Sequence, residues 1–185
     1  MTRRKTEHKI HGLEMRPDDH VQGRVNAQVI LLEFGDYECP YCGEAYPIVK
    51  QLQRKLADAM SFVFRNFPLA TVHTHAEEAA EAAEAAASQG KFWEMHDSLY
   101  EHQNELEREQ LVERAQRLAL DVPKFEDELD RHVYLPRVRE DFLSGVRGGV
   151  NGTPTFFING VRHDGAFDFD TLYEAISVQV RRSAA

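Results

Sequence analysis

The chain has 185 residues, 42% of them hydrophobic and 29% charged, with a formal net charge of −9. That length holds one core, or one core with a subdomain, and the balance is ordinary for a globular protein. The negative charge excludes general nucleic-acid binding for want of a basic field, and no run approaches the roughly 18 apolar residues of a membrane span.

Residues 1–19 are polar without a clear period and predict an N-terminal arm carrying at most one short strand, with Arg3-Arg4-Lys5 as a solvated tail. This region has neither an apolar run of about 7–15 residues nor a small-residue cleavage pattern. With Met1 as the natural start, the expectation is a cytoplasmic protein without membrane partners; a trimmed export signal would instead make it periplasmic or extracellular. The apolar run from Val29 to Phe34 predicts a buried strand over about 28–34, ending in a turn at Gly35-Asp36. Ile48, Val49, Leu52 and Leu56 then recur at helical spacing, and Pro47 falls inside that helix. Phe62, Phe64 and Phe67 punctuate a second strand closed by Pro68.

From about 70 to 148 the pattern is helical. Ala76, Ala79, Ala80, Ala83, Ala86 and Ala87 form a small-residue stripe, with Glu77, Glu78, Glu81 and Glu84 expected on a solvated face. Gly90 ends that helix, and Phe92, Trp93, Met95, Leu99 and Tyr100 make a bulky second one. Asn104 with Glu107 resembles a capping box, and Asp121 with Pro123 starts a further helix. A last helix begins near Pro136 and is expected to dissolve at Gly145, Gly148 and Gly149. Strand character returns at Thr155 to Ile158, an Asn159-Gly160 turn predicts a hairpin, and a helix over about 168–182 closes the chain. The order is β-α-β, helices, then β-β-α.

Cys39 and Cys42 are the only cysteines, at the junction between the first predicted strand and its helix. Two cysteines three apart at a helix start lie one turn apart on one face, close enough to bridge. The first also meets the unpaired N–H groups and positive dipole end of the helix, which stabilise a thiolate. Such a pair reads as a dithiol/disulfide redox couple, with Cys39 the reactive thiol and Cys42 buried in the next turn. Glu33, an acid inside an apolar strand, would have its charged form disfavoured and its pKa raised.

Several segments resemble the DsbA-like branch of the thioredoxin fold. They are Phe34-Gly35-Asp36-Tyr37-Glu38-Cys39-Pro40-Tyr41-Cys42, Phe64-Arg65-Asn66-Phe67-Pro68-Leu69, Gln89-Gly90-Lys91-Phe92-Trp93-Glu94-Met95-His96-Asp97, and Gly152 through Gly160. The resemblance implies an α/β, thioredoxin-like domain built from residues 20–69 and 149–185, interrupted by an all-helical insertion over 70–148. It implies Cys39 as an exposed nucleophile, Cys42 as the buried resolving thiol, and Glu33 as a proton relay. Pro40, Tyr41, Thr153 and Pro154 would face the substrate, with Thr153-Pro154 as the cis-proline loop. No cofactor is implied, and the partners would be protein thiols or disulfides and a redox partner. Strongly oxidising members carry a histidine beside the second cysteine where this chain has Tyr41. Without that donor, the implied potential lies between those of thioredoxin and DsbA, at roughly −150 to −230 mV.

Three rival readings stand beside this one. Cys39-Pro40-Tyr41-Cys42 also suits glutathione chemistry, as a glutaredoxin-like reductase or a glutathione-using transferase or isomerase. His73, His75, His96 and His102 could join the thiolates in a metal site, although they come from a separate segment. A redox-inactive binding module is the third; the intact cysteine pair counts against it.

Overall fold

A computed structural model describes residues 13–24 and 26–183; the basic Arg3-Arg4-Lys5 segment lies outside them. Five strands form one sheet: β1 (His20–Gln22), β2 (Val29–Gly35), β3 (Met60–Asn66), β4 (Thr155–Ile158) and β5 (Val161–Arg162), in the order β1-β3-β2-β4-β5. Only β2 and β3 run parallel, joined through helix α1 (Pro40–Lys55); the other pairings are antiparallel. Between β3 and β4 the chain forms α2 (Ala76–Ala87), α3 (Phe92–Glu101), α4 (Arg108–Arg117), α5 (Val122–Asp130) and α6 (Leu135–Arg147), and α7 (Phe169–Ser183) follows β5.

Alternation along the strands sends side chains to two separate cores. Leu31, Phe62, Phe64, Phe156 and Ile158 face α1, α3 and α7, in the cluster that also holds both cysteines. Leu32, Phe34, Val63 and Phe157 face the opposite side, where Leu13, Phe67 and Val150 cover them and Phe142 of α6 packs alongside. The hairpin turn is as expected, with both Asn159 (φ 50°) and Gly160 (φ 78°) left-handed.

Three expectations are corrected. Gly145 does not end α6 but lies inside it, where an added Cβ would sit 2.7 Å from the Phe67 ring and 3.0 Å from that of Phe34. The glycine lets the helix backbone approach the sheet. Helix α4 begins at Arg108 with Glu107 as its N-cap and no side-chain capping bond, so the Asn104/Glu107 box does not form. The Ala/Glu helix has no fully solvated second face: Ala82, Ala85, Glu81 and Glu84 are buried as well. Alanines are small enough for neighbours to close from several sides, and Glu84 accepts hydrogen bonds from Asn66 (2.7 Å) and bonds His20 (2.9 Å). The described residues of the N-terminal arm pack on the domain: Asp19 pairs with the fully buried Arg65 at 2.8 Å and Leu13 enters the second core.

Candidate active site

The parallel pairing of β2 with β3 carries the chain across the sheet and into α1 at its carboxyl end. Cys39 is the N-cap of α1, in an extended conformation, and Pro40 opens the first turn, where its missing N–H is no loss. The Cys39 carbonyl accepts the N–H groups of Cys42 and Gly43, each at 3.1 Å. Both cysteines are free thiols. The Cys39 Sγ donates to the Thr153 carbonyl at 3.4 Å, and the peptide bond from Thr153 to Pro154 is cis. The loop before β4 is thereby brought against the cysteine pair from the other half of the domain.

The two thiols differ sharply in acidity. Cys39 is pulled down to about 5, chiefly because the Cys42 thiol hydrogen-bonds to its sulfur. Burial opposes this, while Thr153 and the backbone N–H groups of Cys42 and Tyr41 assist. Cys42 is pushed well above the ordinary thiol range, first by burial and then by its role as donor to Cys39 and the nearby Glu33 charge. Beneath them Glu33 is raised to about 8, by burial first and the Cys39 charge second. Its place follows from the sheet: Glu33 is opposite Phe64 on one side and Phe156 on the other.

Pro40 and Tyr41 are exposed beside the pair, Tyr41 by 61%. Cys39 itself is only 3% exposed, which corrects the expectation of an open nucleophile. The Thr153 loop packs against its sulfur, as the 3.4 Å contact shows.

Two groups escaped the sequence reading. Asp36 is fully buried and ties the site together. Its N–H points at Cys42 Sγ (3.5 Å), its carbonyl accepts the Cys39 N–H (3.2 Å), and its carboxylate accepts the N–H groups of Glu38 and Leu69 (2.8 Å each) and bonds His73 Nδ1 (2.7 Å). The turn-prone Gly35-Asp36 pair was the only signal. Gln103, from the turn after α3, donates to the carbonyls of both Tyr37 and Cys39 at 2.9 Å.

The candidate metal ligands are otherwise engaged. His73 pairs with Asp36 and His75 with Glu38 (3.0 Å). His96 is buried among Tyr37, Phe64, Phe92, Trp93 and Tyr100, where burial holds it well below the ordinary histidine pKa. His102 bonds the Ser98 carbonyl at 3.0 Å. Among the described residues no three potential ligands converge.

A dithiol at a helix start, with a buried carboxyl beneath it on a thioredoxin-like sheet, is an arrangement chemically able to form and break a disulfide. A thioredoxin family model matches residues 15–177, and the chain belongs to the thioredoxin family. Oxidised BdbD from Bacillus subtilis superposes with a TM-score of 0.80 at 23% identity, covering 88% of this chain and 93% of that one. A thioredoxin-like oxidoreductase from Silicibacter pomeroyi gives 0.80 at 26% identity, covering 92% and 95%.

In sequence, the chain is 46% identical over 162 residues to a Salinispora arenicola protein named Na(+)/H(+) antiporter NhaA 1, covering 87% of this chain and 25% of that protein. A protein of the same name from Mycolicibacterium vanbaalenii is 39% identical over 165 residues, covering 88% and 27%. The chain thus spans about a quarter of the length of the curated relatives it matches.

Proposed function

We propose that this chain is a thiol–disulfide oxidoreductase that exchanges disulfides with protein thiols through Cys39 and Cys42. The observation that carries the reading is the opposed acidity of two adjacent thiols, one at about 5 and one far above the ordinary range, with a protonatable carboxyl beneath them. Ionised Cys39 is both a good leaving group and, at neutral pH, almost entirely the attacking species.

In the oxidising direction the site starts as the Cys39–Cys42 disulfide. A substrate thiolate attacks the Cys39 sulfur, the intramolecular S–S bond breaks, and Cys42 leaves with the electron pair. Its burial makes a free thiolate costly, and Glu33, protonated below about 8, supplies the proton. A second substrate thiolate then attacks the substrate sulfur of the mixed disulfide and releases Cys39 as its stable thiolate. Two electrons pass from substrate to the pair, and a redox partner must remove them before the next cycle. The reverse sequence reduces a substrate disulfide. The Thr153 loop and exposed Tyr41 border the approach, and a single sulfur arriving end-on needs little open area.

The chain spans about a quarter of the relatives named antiporters, so that name is said of those proteins alone; the described residues contain no helix long and apolar enough to cross a membrane. The test is disulfide exchange with a reduced peptide dithiol and with glutathione buffers. Cys42→Ser should accumulate mixed disulfides at Cys39, and Cys39→Ser should abolish exchange. A wild-type protein that neither oxidises the dithiol nor reduces a peptide disulfide would overturn the assignment. The equilibrium potential is expected at roughly −150 to −230 mV.

A further inference from the structure

We propose that Gln103, presented by the turn between α3 and α4, is a positioning residue that holds Cys39 in its reactive geometry, so that the helical segment governs the nucleophile's reactivity. This deepens the disulfide-exchange reading and rests on it.

The amide of Gln103 sends both N–H donors to one stretch of backbone, the carbonyls of Tyr37 and Cys39, each at 2.9 Å. These carbonyls bracket the bend that turns the chain from strand β2 into helix α1. The Cys39 carbonyl also starts the helix, accepting the N–H groups of Cys42 and Gly43. Gln103 therefore holds the Tyr37–Glu38 peptide and the Cys39–Pro40 peptide, the second of which directly follows Cys39, and with them the direction of the Cys39 Sγ toward the Thr153 carbonyl and Cys42.

The turn carrying Gln103 is itself braced. Arg114 of α4, 1% exposed, donates to the carbonyls of His102 (3.2 Å) and Glu105 (2.8 Å), immediately around Gln103. Two charge-assisted bonds from one buried guanidinium nitrogen rigidify the turn. Gly43 completes the arrangement from the other side. A Cβ there would overlap the Gln103 amide, with the Gln103 Cδ only 2.7 Å away. Glycine in a helix interior is unfavourable relative to alanine; here it leaves the space into which the amide fits.

The full chain is compared with Gln103→Ala, Gly43→Ala and the double variant. Three readouts are taken: the pH midpoint of Cys39 alkylation, the equilibrium with glutathione, and the thermal midpoint. Gln103→Ala should raise the alkylation midpoint by about half a unit or more. It should shift the glutathione equilibrium about threefold toward the disulfide, which for two electrons is about 15 mV more negative. Gly43→Ala alone should do the same, because its methyl evicts the amide. Gly43→Ala alone should lower the thermal midpoint through its clash with the amide; in the Gln103→Ala background it should change neither redox readout and should raise the thermal midpoint.

Wild-type midpoint and potential in Gln103→Ala, with only a lowered melting temperature, would reduce Gln103 to a structural prop and overturn the proposal. Additive redox effects of the two substitutions would overturn it too. Absence of exchange in the wild type would sink the disulfide-exchange reading alone, since the alkylation midpoint still decides the role of Gln103.

Discussion

Replacing Glu33 with glutamine tests whether the carboxyl beneath the cysteines is held protonated. In the folded chain Glu33 titrates at about 8, against an ordinary value of about 4.3 for glutamate. A raised folded pKa means that the protonated form is the one the fold accepts. The associated stability is fully present below about 4.3 and is lost progressively as pH rises toward 8. At about 1.4 kcal/mol per unit, the full loss is about 5 kcal/mol. Glutamine removes the titration, so the gap in stability between Glu33→Gln and the wild type should widen in favour of the variant across that window. Any fixed cost of burying the amide shifts the whole curve without changing its slope. Cys39 titrates in both proteins and largely cancels in the comparison. Urea unfolding of the two reduced proteins at several pH values between 4 and 9 measures the gap. A widening of about 2–5 kcal/mol supports the reasoning; a gap independent of pH would show that Glu33 ionises normally and refute it.

The remaining predictions address the nucleophile and the framework. Alkylation of the reduced protein, followed by peptide mapping, should label Cys39 first with a midpoint near 5; preferential labelling of Cys42 would overturn the assignment. Because the Cys39 pKa is depressed, its stabilising contribution to the reduced protein is present above about 8.5 and lost as pH falls through about 5. Reduced-minus-oxidised stability should therefore rise with pH across that interval. Asp19→Ala strands the buried Arg65 and should cost about 3–5 kcal/mol in unfolding free energy; a near-neutral result would mean the guanidinium finds water or another acceptor. Gly145→Ala drives a methyl into the Phe67 ring and should destabilise by about 1–3 kcal/mol despite alanine's better helix propensity. A stabilised variant would show that α6 can move off the sheet.

What could be foreseen depended on how local the cause was. Strands β2, β3 and β4 were legible because apolar runs bounded by Gly35-Asp36, Pro68 and Asn159-Gly160 carry period and punctuation together. Cys39 and Cys42 were legible because helix geometry alone puts residues three apart on one face. Gly145 was misjudged because a glycine near a helix end looks like a stop, and only the Phe67 and Phe34 rings across the core show that it marks a close approach. The burial of Glu81 and Glu84 was invisible for a similar reason, since their surroundings come from distant segments. The side chains of Asp36 and Gln103 act largely on backbone groups, contacts that leave no trace in side-chain patterns. The low exposure of Cys39 needed the Thr153 loop, over a hundred residues away, to be in place.

The sheet's rims are short: β1 spans His20–Gln22 and β5 only Val161–Arg162. A passing polypeptide finds few backbone groups there with which to extend the sheet, and two copies meeting rim to rim find equally few. Capture by strand addition along either edge is therefore weak. On the proposed disulfide-exchange reading, a protein thiol would be held mainly where its sulfur arrives, between Tyr41 and the Thr153 loop, for about as long as a mixed disulfide lasts. On that reading, selection would rest on which cysteine is presented and how readily it can be reached, and release would follow as soon as the bond has been passed on.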